Sequence, residues 1–107
     1  MFYEFWQNNS YGKLKIDLPN GIGETTIIEA DSADEANKIA EEHGIYFYGV
    51  DAGLDCGCCG DRWYMVKEDP FYVLPQEKVD ELLKASSERG HAPRSFIIFK
   101  DGRILPY

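Results

Sequence analysis

Glycine, cysteine and aspartate fill most of residues 51–61, near the middle of the chain. Glycine weakens regular structure through its backbone entropy, and aspartate bonds to its own backbone in turns. No helix or strand is therefore expected to run through this segment. Regular elements must lie on either side of it, and in a chain of 107 residues they can only be short. We expect residues 1–107 to fold as a single domain.

Several stretches have the composition of short strands. The clearest alternates strictly, with Leu14, Ile16 and Leu18 on one face and charged residues on the other. The remaining predicted strands are residues 2–7, 24–30, 45–50, 62–67, 95–100 and 103–107. The last two flank Asp101-Gly102, and Asp-Gly between two apolar runs predicts a C-terminal β-hairpin.

Two segments predict helices. Ser32 followed by Glu35 is a capping-box pattern that begins the first helix, and Gly44 is suited to end it. Pro75 is suited to open the second helix, which Gly90 would end. The residues that the second helix would turn inward are Val79, Leu82 and Leu83.

These elements predict an α+β fold. We expect a mainly antiparallel sheet of about five or six short strands, with the C-terminal hairpin at its end. Both helices are predicted to cover one face of the sheet.

The charge of the chain narrows its possible partners. Nineteen acidic and eleven basic residues leave a formal net charge of −8, which repels nucleic-acid phosphates and anionic lipid. Direct binding to a nucleic-acid polymer or to a membrane is therefore disfavoured. A basic protein, or a small anionic ligand in a locally positive pocket, is favoured. Aromatic residues make up 14% of the chain, and a surplus of large rings suits a contact surface as well as a core.

The N-terminus and the cysteines both favour a reducing compartment. The first residues contain neither a basic region nor a long apolar run, so no signal peptide is expected. The three cysteines lie within residues 56–59, which is no disulfide framework. We expect a cytosolic protein with reduced thiols.

The cysteine cluster allows a metal site. Cys56 and Cys59 have the C-x-x-C spacing of a zinc knuckle, and Cys58 is a candidate third ligand. His43 or His91 could complete a tetrahedral site. We therefore expect either that the chain binds a zinc ion or that it has no cofactor. In the second case the small thiols simply pack in a tight loop.

A thiol enzyme is the weakest hypothesis. A cysteine nucleophile needs a positioned base, and nothing in the sequence ties either histidine to the loop. A bridge between the adjacent Cys58 and Cys59 would be strained.

The residues after the cysteines form the main candidate ligand site. Arg62 beside Trp63 could hold an anion and stack a flat ring, and glycine lets the backbone approach a ligand closely. The candidate ligand-binding residues are Trp6, Gly60, Asp61, Arg62 and Trp63. The alternative is that Trp63 fills the core and Arg62 pairs with Asp55 or Asp61.

The string Asp55-Cys56-x-Cys58-Cys59-Gly60-Asp61-Arg62-Trp63 resembles a family of small tailed-bacteriophage proteins. The chain is also similar to that family along residues 3–10 and 32–37. The resemblance implies an accessory protein of a phage, acting in the host cytoplasm, and carries no activity with it.

Taken together, the sequence favours a non-enzymatic phage protein that acts by stoichiometric binding, either to a host protein of a defence system or to a signalling nucleotide. A zinc-stabilised interaction module built on Cys56 and Cys59 is the alternative.

Overall fold

The computed structural model describes residues 1–8, 16–55, 57–58, 60–88 and 94–107. Five strands, two helices and one short 3-10 turn at Leu18–Asn20 account for the regular structure of these residues. The strands are β1 (Phe2–Trp6), β2 (Thr25–Glu29), β3 (Val73–Leu74), β4 (Phe96–Ile98) and β5 (Ile104–Pro106). The helices are α1 (Ala33–Glu42) and α2 (Gln76–Glu88). The predicted α+β class is confirmed.

The strands form one sheet in the order β3-β1-β2-β4-β5. Strands β1 and β2, β1 and β3, and β4 and β5 pair antiparallel, whereas β2 and β4 pair parallel. The sheet is therefore mainly antiparallel, as predicted, with one parallel pair at its centre. The C-terminal hairpin is also confirmed, and Gly102 adopts a φ of 93° in its turn.

The predicted position of the helices is wrong, because the two helices cover opposite faces. Tyr3, Ile28 and Ile98 share a core with the alanines of α1. Ile27 and Ile97 share a second core with Val79 of α2. Neighbouring strand residues point to opposite faces, so the apolar runs of β1, β2 and β4 leave both faces in need of cover.

Helix α1 begins as predicted and lies close to the sheet. The Ser32 hydroxyl accepts a hydrogen bond from the Glu35 backbone N–H at 3.1 Å. Ala33, Ala36 and Ala40 are buried, and such small residues allow close approach. His43 caps the C-terminal end, and Gly44 follows with a φ of 108°.

Two predicted strands are not formed, and the described part of a third, residues 16–18, has only an isolated bridge at Asp17. Residues 13–15 lie outside the described residues, but Ile16 is exposed and Leu18 starts the 3-10 turn with 57% exposure. Residues 45–50 and 62–67 contain no strand. Part of their backbone bonds to side chains instead: the Val50 N–H donates to Asp61 and the Val66 N–H to Asn37. Gly90, the predicted end of α2, lies outside the described residues.

Candidate binding surface

A long connection, residues 43–72, links α1 to β3 and has no helix or strand among its described residues. Loops longer than about 12–15 residues without secondary structure are uncommon in compact domains, and ordered ones are usually functional. The connection is held in place by buried polar contacts.

Asp55 is the centre of these contacts. Its carboxylate accepts hydrogen bonds from the Tyr46 hydroxyl at 2.8 Å and from the Arg62 backbone N–H at 2.9 Å. Burial and the hydrogen bond to Asp55 raise the pKa of the Tyr46 hydroxyl. Gly49 lies so close that a Cβ there would clash with the Asp55 carboxylate. Asp55 therefore ties three separate parts of the connection together.

Arg62 points into the protein. Only 7% of the residue is exposed, its guanidinium donates to Gln7 Oε1 at 3.1 Å, and its Nε lies 4.0 Å from an Asp55 oxygen. Gln7 in turn donates to the Gly23 carbonyl at 2.7 Å. The prediction that Arg62 presents a guanidinium to an anion is not supported by this placement. The alternative, pairing with Asp55, is confirmed.

The backbone carbonyls of Asp61 and Arg62 fasten the connection to the residues after β1. Asn8 donates its side-chain amide to the Asp61 carbonyl, and its backbone N–H donates to the Arg62 carbonyl. Gly60 has a φ of 85°, which favours glycine at this position. One oxygen of the Asp61 carboxylate accepts from the Val50 N–H at 2.9 Å. These bonds set where the Asp61 side chain lies.

Next to these anchors the connection forms a cleft of about 260 Å³. Its lining consists of Phe47, Tyr48, Asp61, Trp63, Tyr64, Met65, Lys67 and Tyr72. Trp63 is 2% exposed and belongs to the core shared with α1, so it is both a core residue and part of the lining. Tyr48 is 60% exposed and has a φ of 56°. A positive φ is uncommon for a tyrosine and is typical of functional sites.

A second group of rings continues the cleft beside Trp6, the last residue of β1. The ring of Trp6 lies 5.5 Å from that of Phe71 and 6.2 Å from that of Tyr72. Phe71 is 72% exposed, and Tyr72 also lines the cleft. We call the joined patch the aromatic surface. It consists of Trp6, Tyr48, Tyr64, Met65, Phe71 and Tyr72.

The site residues predicted from the sequence are thus divided between four places. Asp61 and Trp63 line the cleft, Gly60 shapes its approach, and Trp6 belongs to the aromatic surface beside it. Arg62 supports the connection from inside. The sequence analysis missed several lining and surface residues, namely Tyr48, Tyr64, Lys67, Phe71 and Tyr72. Consecutive aromatic residues at 46–48 and 71–72 were a signal that could have indicated this surface.

The metal prediction rests largely on residues that lie outside the described part of the chain. Cys56, Cys59 and His91 are not among the described residues. Cys58 is described, and it is exposed. Nδ1 of His43 lies 2.9 Å from the Asn20 carbonyl. Across the residues that the structure describes, no three histidine, cysteine, aspartate or glutamate side chains are grouped closely enough to hold a metal ion.

Neither of the helices in the described part of the chain has the length and apolar character needed to cross a membrane.

Comparison with known proteins gives a family and no relative of known activity. A family model described as "Domain of unknown function (DUF7296)" matches residues 1–107, and the chain belongs to that family. No curated protein and no solved structure matches the chain.

Proposed function

We propose that this member of the DUF7296 family is a non-enzymatic binding protein that holds one partner protein against its aromatic surface. We further propose that it is an accessory protein of a tailed bacteriophage and acts on a host protein in the host cytoplasm. The proposal is supported chiefly by one observation: a group of exposed rings displayed by a connection that buried hydrogen bonds hold in place.

The exposed rings are the strongest support for a protein partner. Trp6, Tyr64 and Phe71 are exposed, although the domain buries other rings such as Tyr3, Phe5 and Trp63 in its core. Contiguous apolar patches on small domains mark interaction sites, and tryptophan and tyrosine are enriched among residues that dominate binding energy. Rings already held in position also lose little entropy when a partner binds.

A protein suits this surface better than a small anionic ligand such as a nucleotide. The cleft of about 260 Å³ is smaller than the roughly 300–1,000 Å³ of most small-molecule pockets. Its lining has one ammonium group, on Lys67, and one carboxylate, on Asp61. Several phosphate charges would therefore gain little there. Phe71 and Trp6 extend the apolar surface beyond what a small molecule would cover.

The sheet edges favour binding through side chains. Strand β3 has only two residues and is followed by Pro75, while β5 ends with Pro106, which has no N–H to donate. Short edges and edge prolines discourage the addition of another strand. A partner would therefore dock on the aromatic surface, with the net charge of −8 favouring basic residues at the rim.

Site-specific photocrosslinking tests the proposal. A benzophenone amino acid would replace Tyr64 or Phe71 in the full chain, expressed in the bacterial host. The same substitution at Lys38, exposed on α1, serves as the control. We expect one discrete protein adduct from the first two positions and none from the third.

The captured protein must then bind the purified chain one to one. Replacing Tyr64 and Phe71 together by alanine should weaken that complex at least about tenfold, because each hot-spot residue is worth about 2 kcal/mol. Added salt should slow association. If neither position yields an adduct, or if the alanine variant binds as tightly as the original, the proposal is wrong.

A further inference from the structure

We infer that the cleft receives one arginine side chain of the partner, with its guanidinium against the tyrosine rings and facing Asp61. This inference rests on the proposed function, since it names the chemical group that anchors the partner. Rings, charge and size support it separately.

The rings provide the first argument. Phe47, Tyr48, Trp63, Tyr64 and Tyr72 all line the cleft. The faces of aromatic rings carry partial negative charge and attract a cation within about 6 Å of the ring centre. Met65 adds a polarisable sulfur, which adapts to the shape of an inserted group. A cleft with this lining favours a flat cation over an aliphatic chain.

The charges provide the second argument. Asp61 contributes a carboxylate whose position is set by its bond from Val50, the hydrogen bond that its side chain accepts from the described residues, and a carboxylate can accept more than one. Carboxylates accept paired hydrogen bonds from guanidinium groups. Other exposed acidic residues of the long connection are Asp51, Glu68 and Asp69. With the net charge of −8, they favour the approach of a cation.

The dimensions of the cleft provide the third argument. Its volume of about 260 Å³ suits one long side chain better than a folded segment. Among cationic side chains, arginine stacks on rings and gives up water more readily than lysine does. The occupant is thus expected to be arginine.

A change at Lys67 tests the inference, because it should alter the affinities for a cation and for an anion in opposite directions. Its exposed ammonium group belongs to the lining and would repel an entering cation but attract an anion. Replacing Lys67 by glutamate should therefore strengthen the binding of a guanidinium and weaken the binding of a phosphate.

The experiment uses the full chain labelled at its methionine methyl groups. The two methionines are Met1 and Met65, and Met1 lies in a different groove, so its methyl signal is an internal control. The probes are the blocked tripeptide Gly-Arg-Gly, its citrulline counterpart, which is neutral and of the same shape, and inorganic phosphate. Each is titrated while both methyl signals are followed.

We expect the arginine peptide to shift the Met65 signal and to bind at least about fivefold more tightly than the citrulline peptide. Lys67→Glu should increase that affinity about threefold or more, and Asp61→Asn should decrease it by a similar factor. Glu77→Gln, which removes an exposed carboxylate on α2, should leave it unchanged.

Other outcomes overturn the inference without touching the proposed function. Equal binding of both peptides would mean that the cleft accepts an uncharged group. A phosphate-dependent shift that Lys67→Glu abolishes would mean an anion site. If no probe moves the Met65 signal, the cleft is not a side-chain anchor. The crosslinking experiment would still decide separately whether a partner docks on the aromatic surface.

Discussion

The sheet with its two helices and the long connection are held together by different interactions. In the sheet, buried isoleucines such as Ile28 and Ile98 pack on α1, while Ile27 and Ile97 pack on α2. The connection also places Ile45, Trp63 and Val66 in the core shared with α1, but its backbone is bonded by the buried carboxylate of Asp55 and by polar side chains that replace a strand partner. Apolar burial is tolerant of shape, whereas a buried carboxylate needs each of its bonds.

This difference explains how the protein can display rings without burying them. A loop stabilised mainly by its apolar side chains would turn Tyr64 and Phe71 into a core. Because Asp55, Asn37 and Asp61 bond to its backbone, the connection keeps its shape while these rings stay exposed. Binding residues on a loop that a rigid scaffold positions follow a common arrangement.

Removal of the Asp55 carboxylate is the strongest test of the comparison. Asp55→Ala takes the acceptor from Tyr46 and from the Arg62 N–H, and leaves the buried Arg62 guanidinium without its nearest carboxylate. We expect the free energy of unfolding to fall by about 3–5 kcal/mol. Chemical denaturation measures this loss, and Asp51→Ala, at an exposed position of the same connection, should cost less than about 0.5 kcal/mol. Equal effects would show that the buried carboxylate does not hold the connection.

Crowding of the same carboxylate should have a smaller effect. Gly49→Ala would push a methyl group against Asp55 and the Tyr46 ring, and overpacking of this kind costs about 1–3 kcal/mol. Gly57→Ala is the matched control, since among the described residues a Cβ there would meet only Val50, at 3.8 Å. Hydrogen exchange sharpens the result: amides of the connection should lose protection before those of β2 and β4. If the amides of the connection and of the sheet lost protection together, the connection would not be stabilised separately from the sheet.

The hydrogen bond between Tyr3 and Glu68 joins the two regions and should make stability depend on pH. Burial, and then the bond to Glu68, raise the pKa of Tyr3 to about 12 from its ordinary 10.0. Between these values the folded chain keeps a proton that the unfolded chain has lost, so this contribution is present below pH 10 and is lost as pH rises towards 12.

Tyr3→Phe should cost about 0.5–1.5 kcal/mol at neutral pH and flatten the alkaline decline in stability. Denaturation curves recorded at neutral pH and across the alkaline range measure both effects. Glu68→Gln, which removes the charge beside the hydroxyl, should give an intermediate slope. A decline that is as steep in Tyr3→Phe as in the original chain would assign the effect to other groups.

The smallest effects on stability are expected at the exposed rings. Tyr64→Ala and Phe71→Ala should each change the free energy of unfolding by less than about 0.5 kcal/mol, because most of each side chain already lies in water. The same changes are expected to weaken partner binding. An effect on binding without an effect on stability would show that these rings belong to the binding surface and not to the core. A large loss of stability in either variant would mean that the ring is part of the core.

Local patterns predicted the elements whose signals lie within a few residues. The Ser32 cap, the helix after Pro75 and the hairpin around Asp101-Gly102 all formed where the sequence indicated. Their bonds join residues close in the chain, so composition and spacing suffice. The same reasoning failed for residues 45–50 and 62–67, whose apolar character resembles that of a strand but whose backbone partners are distant side chains.

The amino-acid sequence alone established the α+β class, the acidity, the surplus of rings and an irregular centre. Only tertiary contacts put a helix on each face, turned Arg62 inward towards Gln7 and Asp55, and joined Trp6 to Phe71 and Tyr72. Gln7 and Arg62 lie 55 positions apart, and the Ala33 backbone N–H donates to the Glu68 carboxylate, 35 positions away. Contacts over such separations depend on how the whole chain packs, because local propensity carries no information about which distant group will satisfy a buried charge.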